Sequence, residues 1–239
     1  MVALTQAKID ELKKYSTPTV CNAIELFKVR RRDEGFLLPH ITCRFPDLGV
    51  MVGYAATATF RSREPALSLK IDLEAYYEHV LSQPAPSILV AQDLDNPPIG
   101  ALFGEVNASV HKALGCVGHV TNGGVRDLDE CHRMGFHFFS GCIQVSHAYA
   151  HLEGSGRPVE FGGTIIHPGD LLHGDKHGMC IVPGIIADEL AEACRAMEAL
   201  ERPLIILSSS PDFSPGKYAA ARAKMIQQSE IISKRFSKT

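Results

Sequence analysis

The sequence predicts a mixed α/β protein, and three observations predict it. Short β-branched runs alternate with segments of helical apolar spacing between residues 50 and 130. From Phe136 to Val182 the apolar runs shorten and are punctuated by Gly154, Gly156, Gly162 and Gly163, which marks sheet. Helical spacing then returns from Gly184 to the end. A chain of 239 residues can build one large core or two small ones, and one domain over residues 1–239 is the expectation.

In chain order, Leu4 to Tyr15 is a short amphipathic helix with Leu4, Ile9 and Leu12 on one side. A second helix follows, with Thr17 as N-cap, Pro18 at the first helical position and Val20, Ala23, Ile24 and Phe27 on its apolar face. Glu34 to Leu48 is a loop carrying Pro39 and Pro46. Val50 to Phe60 is a strand in which Gly53 suggests a bulge. Leu69 to Leu81 is helical and ends before Pro84 and Pro86, and Ser87 to Gln92 is a short strand of the fully buried type. Strands are expected around Phe136–Phe139, Cys142–Val145, Val159–Phe161 and Thr164–His167, and two more around the glycines between Leu171 and Val182. Gly184 to Leu200 is an amphipathic helix with Ile186, Leu190, Cys194 and Met197 inward. Ala219 to Phe236 closes the chain, its basic end fraying into solvent.

Composition narrows the function. With 24 Lys and Arg against 27 Asp and Glu, the formal charge of −3 gives no general electrostatic grip on nucleic acid. The basic run Lys28-Val29-Arg30-Arg31-Arg32 is local: a solvated face, or else a subunit contact or a grip on a distant substrate carboxylate. Seven scattered cysteines without a Cys-x-x-Cys pair predict mostly buried thiols. No apolar run reaches the ~18 residues of a membrane span and no apolar leader follows Met1, so a cytoplasmic protein without membrane contact is expected.

The stretch from Gly104 to Glu130 carries the chemistry. From Glu105 the residues Val106, Val110, Ala113 and Leu114 recur at helical spacing, with Gly115 as the stop. Cys116 to Thr121 is a buried strand closed by an Asn122-Gly123-Gly124 turn, and a new helix begins at Arg126-Asp127. Helix out and strand back return the chain near its start. Glu105, the free amides of the first helical turn, Arg126 and Asp127 should then line one pocket suited to a carboxylate or phosphate. Asp127-Leu128-Asp129-Glu130 also fits a capping box, with Asp127 as N-cap and Glu130 at the third helical position.

Other candidates carry less. Asp93 and Asp95 invite a metal reading, but turn chemistry before Pro97-Pro98 explains them better. His147 and His151 have the spacing of a zinc pair on a helix, yet the second position is Ala148 instead of Glu and the surroundings are strand-rich. His173, Asp175 and His177 flank a glycine turn and should satisfy local amides, with the border of a neighbouring subunit's pocket as the alternative. No G-x-G-x-x-G or Walker loop is present, which argues against nucleotide cofactors.

The run Glu105-X20-Arg126-Asp127-X2-Glu130 resembles the signature of the metal-dependent pyruvate aldolases of the 4-hydroxy-4-methyl-2-oxoglutarate aldolase and RraA-like family. The resemblance continues in Gly162-Gly163-Thr164 to Pro168-Gly169-Asp170-Leu171 and in His177-Gly178 to Val182-Pro183, so it spans roughly residues 18 to 200. It implies a layered β/β/α core of swivelling-domain type with flanking helices. It also implies a homotrimer or dimer of trimers and a divalent metal, Mg²⁺ or Mn²⁺, at each subunit interface. The implied activity is cleavage of a C–C bond next to a small 2-oxo acid through a pyruvate enolate, by retro-aldol reaction or oxaloacetate decarboxylation.

By position, the resemblance makes Asp127 the metal ligand and Arg126 the group on the oxo and carboxylate oxygens. Gly104, Glu105, Val106 and Asn107 would bind substrate, and Glu105 would orient a water for proton transfer. Residue 105 is Glu where the aldolases commonly carry Asp, one methylene longer. These aldolases also draw a carboxylate from the neighbouring subunit's C-terminal region; neither Glu198 nor Glu201 matches by motif, so that role has no residue here. Some members are labelled methyltransferases, a label that the lack of a glycine-rich adenosyl-binding loop argues against. RraA-like proteins also act as protein-binding regulators of an RNA-degrading enzyme. Such a surface needs no Glu105, Arg126 and Asp127 set, so the sequence favours an enzyme.

Overall fold

A computed structural model describes residues 3–66 and 72–237. The described residues pack as two compact units, one built on Gly35–Val182 and one built on Leu4–Glu34 with the segment from Pro183 onward. The second unit is helical. Its first helices are α1 (Gln6–Leu12) and α2 (Thr17–Phe27). The cap of α2 is Ser16, one residue before the expected Thr17: its hydroxyl accepts from Thr19 N at 3.3 Å, and Thr17 is the first helical residue. Arg31 pairs with Asp33 and Arg32 with Glu25, both arginine side chains more than 70% exposed on this chain.

The first unit holds the sheet. Its strands are β1 (Thr42–Cys43), β2 (Met51–Arg61), β3 (Ser87–Asp93), β4 (Ala101–Phe103), β5 (Cys116–Val125), β6 (His137–Ile143), β7 (His151–Ser155), β8 (Val159–Phe161), β9 (Thr164–Ile166), β10 (Leu171–Asp175) and β11 (Gly178–Val182). Its helices are α3 (Leu73–Leu81), α4 (Glu105–Ala113) and α5 (Leu128–Arg133). The order is β1-β6-β5-β3-β2-β10-β11, with β4 added at the end of β5 and β7 at the end of β2. The centre, β2-β3-β5-β6, is parallel, and every outer pairing except β4 with β5 is antiparallel. On one face α3, α4 and α5 bury Tyr76, Val80, Ala108 and Cys131 against Ala56, Leu89, Val125 and Phe138. On the other face the two-stranded β8-β9 ribbon buries Val159, Phe161 and Ile166 against Ala55, Ile88 and Val120. Ribbon, sheet and helices are the β/β/α layers of the expected mixed α/β fold.

Several expected elements are redrawn. Asn122-Gly123-Gly124 is no turn, because β5 runs on through it to Val125 with a register shift against β6. The glycine at 123 serves a close approach instead: a Cβ there would lie 2.7 Å from Asp93 Oδ2. Gly53 makes no bulge; a Cβ there would meet Pro86 O at 2.7 Å, while the irregularity of β2 lies at Thr59/Phe60, opposite β7. The two runs at 136–145 form the single strand β6, and the short strands β4 and β7 went unpredicted. Residues 69–71 of the expected third helix lie outside the described residues, and α3 starts after Asp72, whose carboxylate accepts from Glu74 N at 2.9 Å.

The helical unit closes with α6 (Leu190–Ser208) and α7 (Pro215–Phe236). α6 starts six residues later than expected, because Pro183 to Glu189 close turns of their own, and it runs on through Pro203. The end of α7 is docked where fraying was expected: Phe236 is 2% exposed against Phe27, and Ser233 Oγ donates to Leu26 O at 2.7 Å. Four of the seven cysteines are buried and all are free thiols. Among the described residues no helix is long and apolar enough to cross a membrane.

Candidate active site

The site forms where two strand-to-helix junctions meet. β4 lies parallel to the last residues of β5, pairing Ala101 with Gly124 and Phe103 with Val125, and Arg126 N donates to Phe103 O at 3.0 Å. Phe103 is 1% exposed and stacks on His119 at 3.9 Å between centroids, which anchors β4 in the core. The residue after it, Gly104, therefore stands beside Arg126 and Asp127. The return predicted from helix and strand lengths does occur, and β4 is what completes it.

Asp127 does not cap its own helix. Its backbone is left-handed (φ 53°, ψ 49°), a conformation that costs a non-glycine residue of order 1 kcal/mol or more. That turn swings the carboxylate across to α4, where Oδ2 accepts from Glu105 N at 2.9 Å. Glu130 pairs with Arg133 at 3.1 Å, so neither half of the capping box forms. Arg126 Nε lies 3.8 Å from Asp127 Oδ2, each side chain about one-third exposed. Asp127 Oδ1 has no partner in the described chain.

The amides of Val106 and Asn107 are likewise open, because the helical ladder starts with Ala108 N on Gly104 O at 3.0 Å. They give the cleft the partial positive charge of a helix start. The rest of α4 is pinned from behind. Asn107 Nδ2 donates to Leu102 O at 2.5 Å, His111 Nδ1 to Asn107 O at 2.7 Å, and Tyr76 OH to His111 Nε2 at 2.6 Å. Burial pulls the His111 pKa down to about 4, so the ring is neutral and both of its nitrogens are matched.

These groups border a cleft of about 200 Å³ lined by Ala101, Leu102, Gly104, Val106, Asn107, Arg126, Asp127, His147 and Ala150. That is room for about seven waters at ~30 Å³ each. It falls below the ~300 Å³ at which drug-sized ligand sites begin, so the cleft suits a small acid. The exposed Glu105 contributes its amide to the Asp127 contact, and its carboxylate does not line the cleft. A larger cavity of about 610 Å³, in the helical unit, is lined by Arg195, Glu198, Glu201 and Arg202 and holds none of the predicted site residues.

Among the described residues no three His, Cys, Asp or Glu side chains converge as a metal cage. What the cleft offers is one open carboxylate oxygen in an acidic field. Burial first, then Asp127, Glu105 and Glu130, push the Cys131 thiol up to about 12. This donor set fits Mg²⁺ or Mn²⁺, which keep several waters and take one or two carboxylates. It does not fit a closed four-ligand zinc site.

Gly104 is required by contact. A Cβ there would sit 2.2 Å from Asp127 Oδ2 and 3.0 Å from Arg126 Cγ. Gly104→Ala should break the Asp127–Glu105 link and destabilise the fold by about 1–3 kcal/mol, the usual cost of overpacking. Thermal melts check this, and an unchanged melting temperature would show that the carboxylate can step aside.

Of the other candidates, Asp93 Oδ1 accepts from Asp95 N at 2.9 Å, which is turn chemistry, whereas Asp95 is held by tertiary contacts, accepting from Ser62 N at 2.6 Å and Arg63 N at 3.0 Å, 33 and 32 residues away. Asp175 accepts from His177 N at 2.8 Å, also within its turn. His147 lies in a turn and His151 opens β7, so the pair does not share a helical face. His151 pairs with Glu153, whereas His147 joins the cleft. The sequence marks His147 only as half of a metal pair and carries no signal for its place here.

A family model described as RraA-like, Aldolase/RraA, matches residues 17–181. A protein of Halalkalibacterium halodurans named "Putative 4-hydroxy-4-methyl-2-oxoglutarate aldolase" is 28% identical over 187 residues, covering 75% of this chain and 80% of that protein. An uncharacterized protein of Pseudomonas syringae pv. tomato superposes with a TM-score of 0.70 at 25% identity, covering 93% of this chain and 96% of that one. Streptomyces coelicolor RraAS2, described as an unusual member of the RNase ES inhibitor RraA protein family, has the same fold. Its TM-score is 0.66 at 23% identity, over 84% of this chain and 97% of that one.

Proposed function

The chain belongs to the RraA-like, Aldolase/RraA family, and from that premise and the cleft at Arg126 and Asp127 we propose that it is a divalent-metal-dependent lyase. Its reaction is cleavage of the C–C bond next to a small 2-oxo acid, through a pyruvate enolate. The observation that carries this reading is the crossing of Asp127 to the start of α4, which leaves one carboxylate oxygen, one guanidinium and two open amides on a small cleft.

The residues divide the work by charge. The amides of Val106 and Asn107 receive the substrate carboxylate at the positive end of α4. The planar fork of Arg126 donates to the carboxylate and oxo oxygens and stabilises the negative charge that gathers on the oxo oxygen as the bond breaks. Asp127 would hold the Mg²⁺ or Mn²⁺ with its open carboxylate oxygen, while Oδ2 accepts from Glu105 N. Such a metal, when bound, would supply Lewis-acid stabilisation of negative charge on the oxo oxygen. Glu105 holds Asp127 through its amide, and its carboxylate, outside the lining of the cleft, takes no part in the proton transfer. Gly104 leaves the space in which all of this fits. We also propose that the assembly is a homotrimer or dimer of trimers; light scattering should then return three or six times 26.0 kDa.

The test is a panel of 2-oxo acids, oxaloacetate and 4-hydroxy-4-methyl-2-oxoglutarate included, assayed for pyruvate after EDTA and after Mg²⁺ or Mn²⁺ is returned. Chelation should abolish turnover and either metal should restore it. No pyruvate from any substrate would remove the enzyme reading and favour the second one, a protein-binding regulator of an RNA-degrading enzyme, the role suggested by the description of the Streptomyces protein.

A further inference from the structure

We propose that His147 is the acid–base residue of this cleft: its Nε2 takes the 4-hydroxyl proton of a 4-hydroxy-2-oxo acid and returns it to C3 of the pyruvate enolate. The inference rests on the lyase reading above and deepens it. Three observations carry it. His147 borders the same cleft of about 200 Å³ as Arg126, Asp127 and the open amides, so one small substrate reaches all of them.

The tautomer is set as well. His147 Nδ1 lies 2.7 Å from Ala148 O, and a carbonyl can only accept, so Nδ1 carries a proton, and of the two neutral tautomers this contact selects the one whose lone pair is on Nε2. Nε2 has no partner in the described chain and is the nitrogen left to meet a ligand. An imidazole held in this form is a base ready to receive a proton.

The loop is also built to hold the ring in place. Ala101 N donates to Ser146 O at 3.0 Å, which ties the loop to β4, and Tyr149 N donates to Ser62 O at 3.0 Å. Ala150 N closes on His147 O at 2.9 Å, and Ala148 N on Ser146 Oγ at 3.0 Å. Gly100 lies directly beneath, where a Cβ would come within 2.5 Å of His147 O. At the centre Ala148 takes a positive φ of 48°, an unfavourable backbone conformation that the surrounding bonds maintain.

The proton balance closes. Nε2 removes the hydroxyl proton, the C3–C4 bond breaks, and a carbonyl forms at C4. The bond's electron pair moves onto C3 and the oxo group as the enolate. Nε2 then delivers the same proton to C3, giving pyruvate and restoring the neutral ring. Oxaloacetate decarboxylation needs no such base, because the leaving carboxylate departs as CO₂ and solvent can protonate C3.

That difference is the test. His147→Gln and His147→Ala, with folding checked by thermal melts, are assayed for retro-aldol cleavage, for oxaloacetate decarboxylation and for exchange of pyruvate methyl protons in D₂O. The ratio of retro-aldol to decarboxylase activity should fall on the order of 10²-fold or more, the usual share of general acid–base catalysis. Methyl exchange should be lost with it, while Mn²⁺ affinity, read from water proton relaxation, stays at the wild-type value. Equal loss of both activities, loss of neither, or a parallel loss of Mn²⁺ affinity would overturn the role. So would the same split appearing in Glu198→Gln or Glu201→Gln and not at His147. A wild-type chain without either activity would instead fail the lyase reading, and this inference with it.

Discussion

Asp127→Asn should fold with an unchanged melting temperature and lose metal-stimulated pyruvate release by about 10²-fold or more, the scale of a lost transition-state stabiliser. Asn tolerates the left-handed backbone found at residue 127 at least as well as Asp does. Its amide oxygen can still accept from Glu105 N, so the link to the start of α4 survives. What disappears is the negative charge on the open oxygen, the one charged protein ligand proposed for the metal. Arg126→Lys keeps its charge and loses the planar fork, and should cost on the order of 10²-fold in turnover. Neither variant disturbs a core contact. The informative comparison is activity against stability, measured on the same preparations by coupled pyruvate assay and thermal melt. Full Mg²⁺-stimulated turnover by folded Asp127→Asn would refute the metal assignment.

Acidification should destabilise the protein steeply below about pH 6.5. Burial depresses the folded-state pKa of His111 to about 4 and that of His119 to about 3, both below the ordinary 6.5. Between those values the unfolded chain binds protons that the folded chain refuses. The contribution of these two histidines is therefore fully present above pH 6.5 and is lost as pH falls toward 4 and then 3. Two protons at ~1.4 kcal/mol per pH unit each make this comparable, within a few units, to the total stability of an ordinary domain.

Asp93 works in the opposite sense. Burial chiefly raises its pKa from 3.8 to about 6, and its Oδ2 has no hydrogen-bond partner. The folded state then holds a proton that the unfolded state releases, and stability is lost as pH rises from 3.8 through about 6. Asp93→Asn should accordingly gain about 1–3 kcal/mol at pH 7 and nothing at pH 4. Urea melts of both proteins from pH 4 to pH 8 measure the two effects. Wild-type stability that stays flat between pH 7 and pH 5 would show that the two histidines are not held neutral.

The sequence by itself determined what local periodicity can encode. The helical spacing from Glu105 and the stop at Gly115 mark α4 as a helix, although the face it buries carries Ala108 and His111 and leaves the expected Val106 and Ala113 exposed. The apolar run after Ser87 specifies β3, and the glycines between Leu171 and Val182 specify the β10-β11 hairpin. The interval from Glu105 to Arg126-Asp127 likewise predicted one pocket, because a helix out and a strand back must return the chain to its start. Only the tertiary structure decided how those residues are used. Asp127-Leu128-Asp129-Glu130 has the local pattern of a cap, yet a left-handed residue and the neighbouring start of α4 turn the carboxylate outward. Asn122-Gly123-Gly124 has the local pattern of a turn, yet the strand continues through pairing with β6, and the two glycines make room for Asp93 and Gln144 instead. His147 reaches the cleft through bonds from its loop to Ala101 on β4 and to Ser62, contacts 45 and 87 residues away for the groups concerned. A sequence pattern records which conformations a segment favours alone. The direction of a single carboxylate or imidazole is set by which distant backbone happens to pack beside it.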